Sequence, residues 1–188
     1  VVSKKVEELQ AQIRRFSLQG KRAALSRSGS SNTTRSKSYN NGRERLDLSG
    51  FNTVRVDAQK LTAYAEPSVT MEILVRETLR YGLIPPVVPE FKGITVGGAI
   101  MGCAAESGSH KWGIFSDICT AFHLILGDGK LEYASDKENS DLYHAIPGSY
   151  GSLGLLILAE IRLIPASPPN HIQKLKPTFW TASRSMKS

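Results

Sequence analysis

Cysteine is scarce in this chain, and the scarcity excludes several classes of protein. Cys103 and Cys119 are the only two in 188 residues. They form neither a CxxC pair nor the framework of a small disulfide-stapled secreted domain, so both are expected to be reduced and structural, with Cys103 packed among small residues. The histidines, His110, His123, His144 and His171, have no spacing that brings two ligands together, so no metal site is expected. No run approaches the roughly 18 apolar residues that span a bilayer, and the amino end is too charged for a signal-peptide core. The chain itself is therefore expected to be soluble. It begins at Val1 rather than Met, which is expected of a piece whose native amino-terminal anchor is missing, and membrane association through such an anchor stays open.

Acidic residues are few where basic ones abound. Up to Gly50 there are eleven bases (Lys4, Lys5, Arg14, Arg15, Lys21, Arg22, Arg27, Arg35, Lys37, Arg43, Arg45) against four acids (Glu7, Glu8, Glu44, Asp47), and the remainder balances at thirteen to thirteen, so the whole net charge of +7 lies in the first quarter. Such an end can neutralise nucleic-acid phosphates, anionic lipid or a bound pyrophosphate, or it can simply be a solvated face. A hydrophobic fraction of 40% is ordinary for a globular protein with its own core.

What is present is a mixed succession of elements. Val6, Leu9, Ile13 and Phe16 fall at helical spacing and predict an amphipathic helix from Ser3 to Phe16. Ala23 to Leu25 predicts a strand. It opens onto Ser26 to Asn41, a polar stretch without apolar periodicity that is either a flexible linker or a loop whose hydroxyls and amides face an anion. Val54 to Asp57 and Leu61 to Glu66 predict a hairpin. Thr70 is placed to cap a helix whose buried stripe is Ile73, Leu74, Leu79 and Tyr81, stopped by Gly82, Pro85 and Pro86. Thr120 to Leu126 and Leu131 to Ala134 flank the turn signal Gly127, Asp128, Gly129, and Leu153 to Ile164 predicts one or two buried strands. A short strand candidate, Ile172 to Leu175, precedes a polar tail. Interleaved helices and more numerous strands make the class α+β.

Two glycine clusters carry the chemical signal. The first runs from Thr95 to His110, where small residues let a backbone approach a bulky anion and aim N–H groups at it. It is not GxGxxG, and it is not expected to link a strand to a helix, so a nicotinamide Rossmann site is disfavoured. Close helix-to-sheet packing is the alternative. The second cluster, Pro147 to Gly154, leads into the apolar run ending at Pro165, as glycines do where a backbone meets a ligand. His110, beside the first cluster, is expected to hydrogen-bond or face a phosphate rather than act as a base.

In this order, Thr-Val-Gly-Gly (95–98), Ser-Gly-Ser-His-Lys-Trp-Gly (107–113), Asp-Gly (128–129), Ser-Asp-Leu-Tyr-His-Ala-Ile-Pro-Gly-Ser (140–149) and Gly-Ser-Leu-Gly-Leu-Leu (151–156), the chain resembles the FAD-binding domain of the vanillyl-alcohol oxidase superfamily. Within it, Thr-Val-Gly-Gly-Ala-Ile-Met-Gly, Glu-Ser-Gly-Ser-His-Lys-Trp-Gly-Ile-Phe and Glu-Asn-Ser-Asp-Leu-Tyr resemble the Δ24-sterol reductases. The likeness is strong from Val69 to Pro165 and loose before it.

The resemblance implies a two-subdomain PCMH-type FAD-binding domain: residues 1–90 with the amino-terminal helix and phosphate loop, 91–166 as the second subdomain, and 167–188 as a tail or the start of a substrate (cap) domain that is itself absent. It implies a phosphate loop within Ser26 to Arg35, with Ser28, Gly29, Ser30, Ser31, Asn32 and Thr33 on the cofactor. Thr95, Val96, Gly97, Gly98, Ala99, Ile100 and Met101, then Gly102, Cys103, Ala104, Ala105, Glu106 and Ser107, would be the main FAD-contacting segment, with Ser109, His110 and Gly113 close by. Gly154, Leu155 and Leu156 would lie near the adenine and ribose through backbone atoms. The phosphate loop has one glycine and no histidine, so noncovalent FAD is expected.

The implied chemistry is reduction of a sterol side-chain double bond with NADPH as electron donor, at the endoplasmic reticulum membrane, with no nucleic-acid partner and no catalytic acid assigned. A chain this short is expected to bind FAD yet lack the reductase activity by itself. Two other classes stay open: an oxidase or dehydrogenase of the same superfamily acting on a hydroxy acid, sugar lactone or phenol, and a noncatalytic basic interaction module.

Overall fold

The computed structural model describes residues 3–26 and 41–167. The chain opens with α1 (Lys4–Leu18), whose buried residues are the four expected ones, Val6, Leu9, Ile13 and Phe16. After the left-handed Gly20 comes β1 (Ala23–Ser26), which pairs in parallel with β2 (Glu44–Asp47). β2 has one buried side chain, Leu46, among charged neighbours, too little pattern to predict a strand. The residues between, 27–40, lie outside the described ones, as do 168–188 with the strand candidate at 172–175.

The main sheet is built from β3 (Val54–Asp57), β4 (Thr62–Ala65), β6 (Cys119–Ile125), β7 (Leu131–Ser135) and β8 (Leu155–Arg162), in the order β3-β4-β8-β6-β7. Both expected hairpins form, with Val54 opposite Ala65 and Ile125 opposite Leu131. β5 (Leu83–Ile84) and β9 (Ile164–Pro165) add a two-stranded ribbon. Because β4 pairs with β8, this sheet takes strands from both sides of residue 90.

α2 (Met71–Leu79) is capped by Thr70 as expected, its side chain accepting the Ile73 N–H. Its buried stripe differs. Met71, Leu74 and Thr78 face inward, whereas Leu79 is 49% and Tyr81 56% exposed. Spacing from Met71 by three and then four residues follows one helical face; Leu79 falls off it, and Tyr81 lies beyond the helix end.

Further short helices are α3 (Val96–Met101), α4 (Ser109–Trp112) and α5 (Ser140–Ala145), with a 3₁₀ turn at Phe115–Ile118. Two apolar clusters lie against the main sheet. The larger includes Met71, Leu74, Val96, Ile100, Phe115, Phe122 and Leu156; the smaller joins α1 and Leu46 to Ile125, Leu155 and Ile157. A register shift serves both: His123 faces Leu158 and Leu124 faces Leu156, leaving Ile157 as an extra residue on β8. Such a bulge resets the in-out alternation of a strand. Leu155 and Ile157 thus reach the α1 side, while Ala159 and Ile161 return to the larger core.

Candidate cofactor-binding site

The first glycine cluster opens a helix after all. Thr95 caps α3 and its hydroxyl accepts the Gly98 N–H at 3.2 Å. The next N–H groups are also used internally: Val96 donates to the Val69 carbonyl at 2.8 Å and Gly97 to that of Pro67 at 3.0 Å. The first-turn N–H groups at this end of α3 thus all have acceptors within the protein. A β-carbon on Gly97 would lie 3.0 Å from that of Pro67. Val96, Ala99 and Ile100 are core residues. A six-residue helix with two glycines has too little propensity or length to be foreseen from sequence.

Past α3 the character changes. Met101 and Ala104 are half-buried, while Gly102, Cys103, Ala105, Ser107 and His110 are exposed. Cys103 is in the left-handed region at φ 52° and exposed, a correction to its expected place among packed small residues. Cys119 is the buried cysteine, and burial drives its thiol pKa well above the ordinary range. Among the described residues, the N–H groups of Ala105, Ser107 and Gly108 make no backbone hydrogen bond. Around them, Glu106 N–H is taken by the Ser109 hydroxyl at 3.0 Å and the Glu106 carboxylate accepts from the Ser107 hydroxyl at 2.7 Å. His110 Nδ1 lies 2.6 Å from the Ser107 carbonyl. A carbonyl only accepts, so Nδ1 carries the proton and Nε2 is the ring nitrogen left for another partner.

The second cluster folds against the first. Gly148 donates to the Ile100 carbonyl at 3.4 Å, and a β-carbon at Gly148 would lie 3.2 Å from Cys103 Sγ. The Ser149 hydroxyl reaches Met101 Sδ at 3.2 Å. Two turns of small residues thus form adjacent lips, with Tyr150 71% exposed on the second. Gly148, Ser149 and Tyr150 were not among the expected contacts, although the spacing of glycines in 147–154 was the signal for them. Gly154 sits against β6, where a β-carbon would meet the Ile125 carbonyl at 3.0 Å. Leu155 and Leu156 are buried on opposite faces, which leaves them only backbone atoms for a ligand. The expected phosphate-loop residues, Ser28 to Thr33, lie outside the described residues.

Beside the lips, Ile114, Ser116, Asp117, Phe122, Tyr143, His144 and Pro147 line a cavity of about 300 Å³. Tyr143 stacks on Phe122 with centroids 5.3 Å apart and donates to the Cys119 carbonyl at 2.7 Å. Its phenol pKa is raised, first by burial and then by the nearby Cys119, Asp136 and Asp117. No helix of the described residues is long and apolar enough to cross a membrane.

An exposed strip of small residues with unpaired N–H donors fits a flat, polar-edged group such as the flavin half of FAD, which needs close backbone approach and donors rather than bulk. The comparisons point the same way. Residues 1–135 match the FAD binding domain family. Over 165 residues the chain is 39% identical to the Delta(24)-sterol reductase of Homo sapiens, covering 86% of this chain and 32% of that protein. Over 122 residues it is 48% identical to the Delta(24)-sterol reductase of Pisum sativum, covering 64% of this chain and 22% of that protein. Among solved structures, 6-hydroxy-D-nicotine oxidase from Arthrobacter nicotinovorans superposes with a TM-score of 0.74 at 23% identity, covering 85% of this chain and 35% of the other, which shows the fold. The chain spans about a third of the length of the human relative.

Proposed function

The chain belongs to the FAD binding domain family, and from that premise we propose that it holds FAD noncovalently between its α1–β1–β2 lobe and the lips formed by Met101 to Ser107 and Gly148 to Ser152. The observation that carries this reading is the contact of the two glycine turns beside the unpaired N–H groups of Ala105, Ser107 and Gly108. In this arrangement the turns give the flavin a close-fitting wall, the N–H groups donate to its polar edge, and His110 presents Nε2 beside it. Thr95 and the core residues of α3 act at one remove, by fixing where the 101–107 turn begins. Gly154 to Leu156 offer backbone atoms to the adenine end, and Ser28 to Thr33 the phosphate contacts.

For the complete enzyme we propose reduction of a sterol side-chain carbon–carbon double bond, on the strength of the 39% and 48% identities to sterol reductases. The alkene gains a hydride at one carbon and a proton at the other, while NADPH is oxidised to NADP⁺. FAD, when bound, carries the electron pair between them. The endoplasmic reticulum membrane is the proposed setting.

Purification of the chain tests the first part. A yellow protein whose chromophore passes into the supernatant on acid denaturation is expected. A colourless protein that does not quench added FAD sinks the cofactor reading, and colour that stays with the acid pellet sinks the noncovalent one.

A further inference from the structure

The cavity between Ile114 and Pro147 shares no residue with the proposed FAD site. Three rings run along it: Phe122 stacks on Tyr143 with centroids 5.3 Å apart, and Tyr143 meets His144 edge to face at 5.0 Å. Ser116 also lines it and is 3% exposed. Among the described residues, the Ser116 hydroxyl is the one buried side-chain N or O atom without a hydrogen-bond partner, and native folds leave few such groups unpaired. Asp117 is the only carboxylate among the described residues that line the cavity, and no Lys or Arg stands with it. Its Oδ2 accepts the Ile114 N–H at 2.8 Å, which leaves Oδ1 to face a ligand. Outside the lining, Asp136 is met by His144 Nε2 at 3.4 Å. Burial is the first cause of the raised Tyr143 pKa; among the acidic and basic side chains that follow, Asp136 and Asp117 outrank the opposing Arg162, so the field at the cavity is negative.

We propose that this cavity binds a small aromatic amine, a protonated primary amine on a short arm from one ring, at a site separate from FAD. The ligand's ring extends the series Phe122, Tyr143 and His144, because aromatic faces attract both ring edges and cations. Its ammonium faces Asp117 and donates to the Ser116 oxygen, which gives the orphaned hydroxyl a partner. A serine hydroxyl can also donate, so Ser116 alone would admit a carboxylate. The negative field excludes one and selects a cationic donor. A volume of about 300 Å³ is at the low end for a small-molecule pocket, which limits the ligand to one ring and its arm.

The test is a titration of the full chain with benzylamine, benzyl alcohol and benzoate, followed by calorimetry and by amide NMR. Benzylamine is expected to shift the signals of Asp117, Tyr143 and His144 and to bind about fivefold more tightly than benzyl alcohol, while benzoate leaves those signals in place. Asp117→Asn, whose amide oxygen can still accept the Ile114 N–H, should level the amine with the alcohol. Ser116→Ala should weaken benzylamine about fivefold. Because it deletes an unpaired buried hydroxyl, its melting temperature should not fall. Saturating FAD should leave the amine's affinity unchanged, and a chain that binds no FAD should still bind the amine, so failure of the cofactor proposal and of this one are told apart. Equal binding of amine and alcohol overturns the proposal, as do shifts confined to other residues, displacement of the amine by FAD, or full affinity in Ser116→Ala. A lower melting temperature for Ser116→Ala would place its hydroxyl in a bond within the fold and overturn it equally.

Discussion

Gly148 packs against Cys103 so closely that a β-carbon on the glycine would lie 3.2 Å from the cysteine sulfur. Both residues are left-handed, at φ 74° and 52°. The Gly148 N–H also donates to the Ile100 carbonyl, which joins the two glycine turns, and the nearby sulfur sets a limit on what position 148 tolerates. Gly148→Ala must place a side chain in the left-handed region and push the thiol aside, at a combined cost of about 1–2 kcal/mol. The expected outcome is a lower urea midpoint and weaker FAD quenching. Because Gly151, also left-handed, has no atom nearer than 3.9 Å to its would-be β-carbon, Gly151→Ala should carry the backbone strain without the clash. Equal losses of FAD affinity in the two variants would show that the Cys103 contact is irrelevant to the cleft.

The two cysteines should separate cleanly in a thiol titration. Cys103 is exposed, while Cys119 is 1% exposed and its thiolate is strongly disfavoured by burial. In native protein one thiol is expected to react with a colorimetric disulfide reagent and the second only after denaturant is added. If FAD lies on the 101–107 turn, it should slow the first reaction. A native reaction of both thiols at one rate would contradict the buried placement of Cys119.

α2 gives a comparison of two leucines in one helix. Leu74 is fully buried and Leu79 is 49% exposed. Leu74→Ala should cost about 2–5 kcal/mol, the range for emptying a core leucine site, and Leu79→Ala within about 0.5 kcal/mol of nothing. Denaturant unfolding of both variants checks it. Comparable losses would restore the stripe expected from sequence.

That contrast also marks what the sequence makes legible. α1 and the β3–β4 and β6–β7 hairpins each rest on a pattern repeated within one element, and the Thr70 cap on a residue type suited to a helix start, so local sequence is enough. α3, α4 and α5 are four to six residues long. They are held by tertiary contacts, such as the Val69 and Pro67 carbonyls at the start of α3, which no local pattern records. The same holds in the site. Glycine order pointed to both turns, but only the folded chain brings Gly148 to Cys103 and consumes the first N–H groups of α3. β2 stayed hidden because its partner, β1, lies across residues 27–40, and a parallel pairing at such separation leaves no turn signal between the strands.

Acid should weaken the fold through two surface carboxylates. Asp47 accepts the Ser49 N–H at 2.8 Å and its hydroxyl at 3.0 Å; Asp128 accepts the Lys130 N–H at 2.9 Å and lies 3.1 Å from its ammonium. Backbone hydrogen bonds are the leading cause in each case, and both pKa values fall below the ordinary value of 3.8. A carboxyl depressed in the folded state binds its proton less readily there than in the unfolded chain. Its contribution is therefore complete above the unfolded pKa and is lost as pH falls through the folded one. Asp47→Asn with Asp128→Asn should accordingly melt below the parent protein at neutral pH, and the two curves should converge as the pH drops below the ordinary aspartate value. Melting temperatures taken across that range decide the matter: a gap that stays constant with pH would mean that the two substitutions act through the shape of the turns, because a lost charge must show its titration.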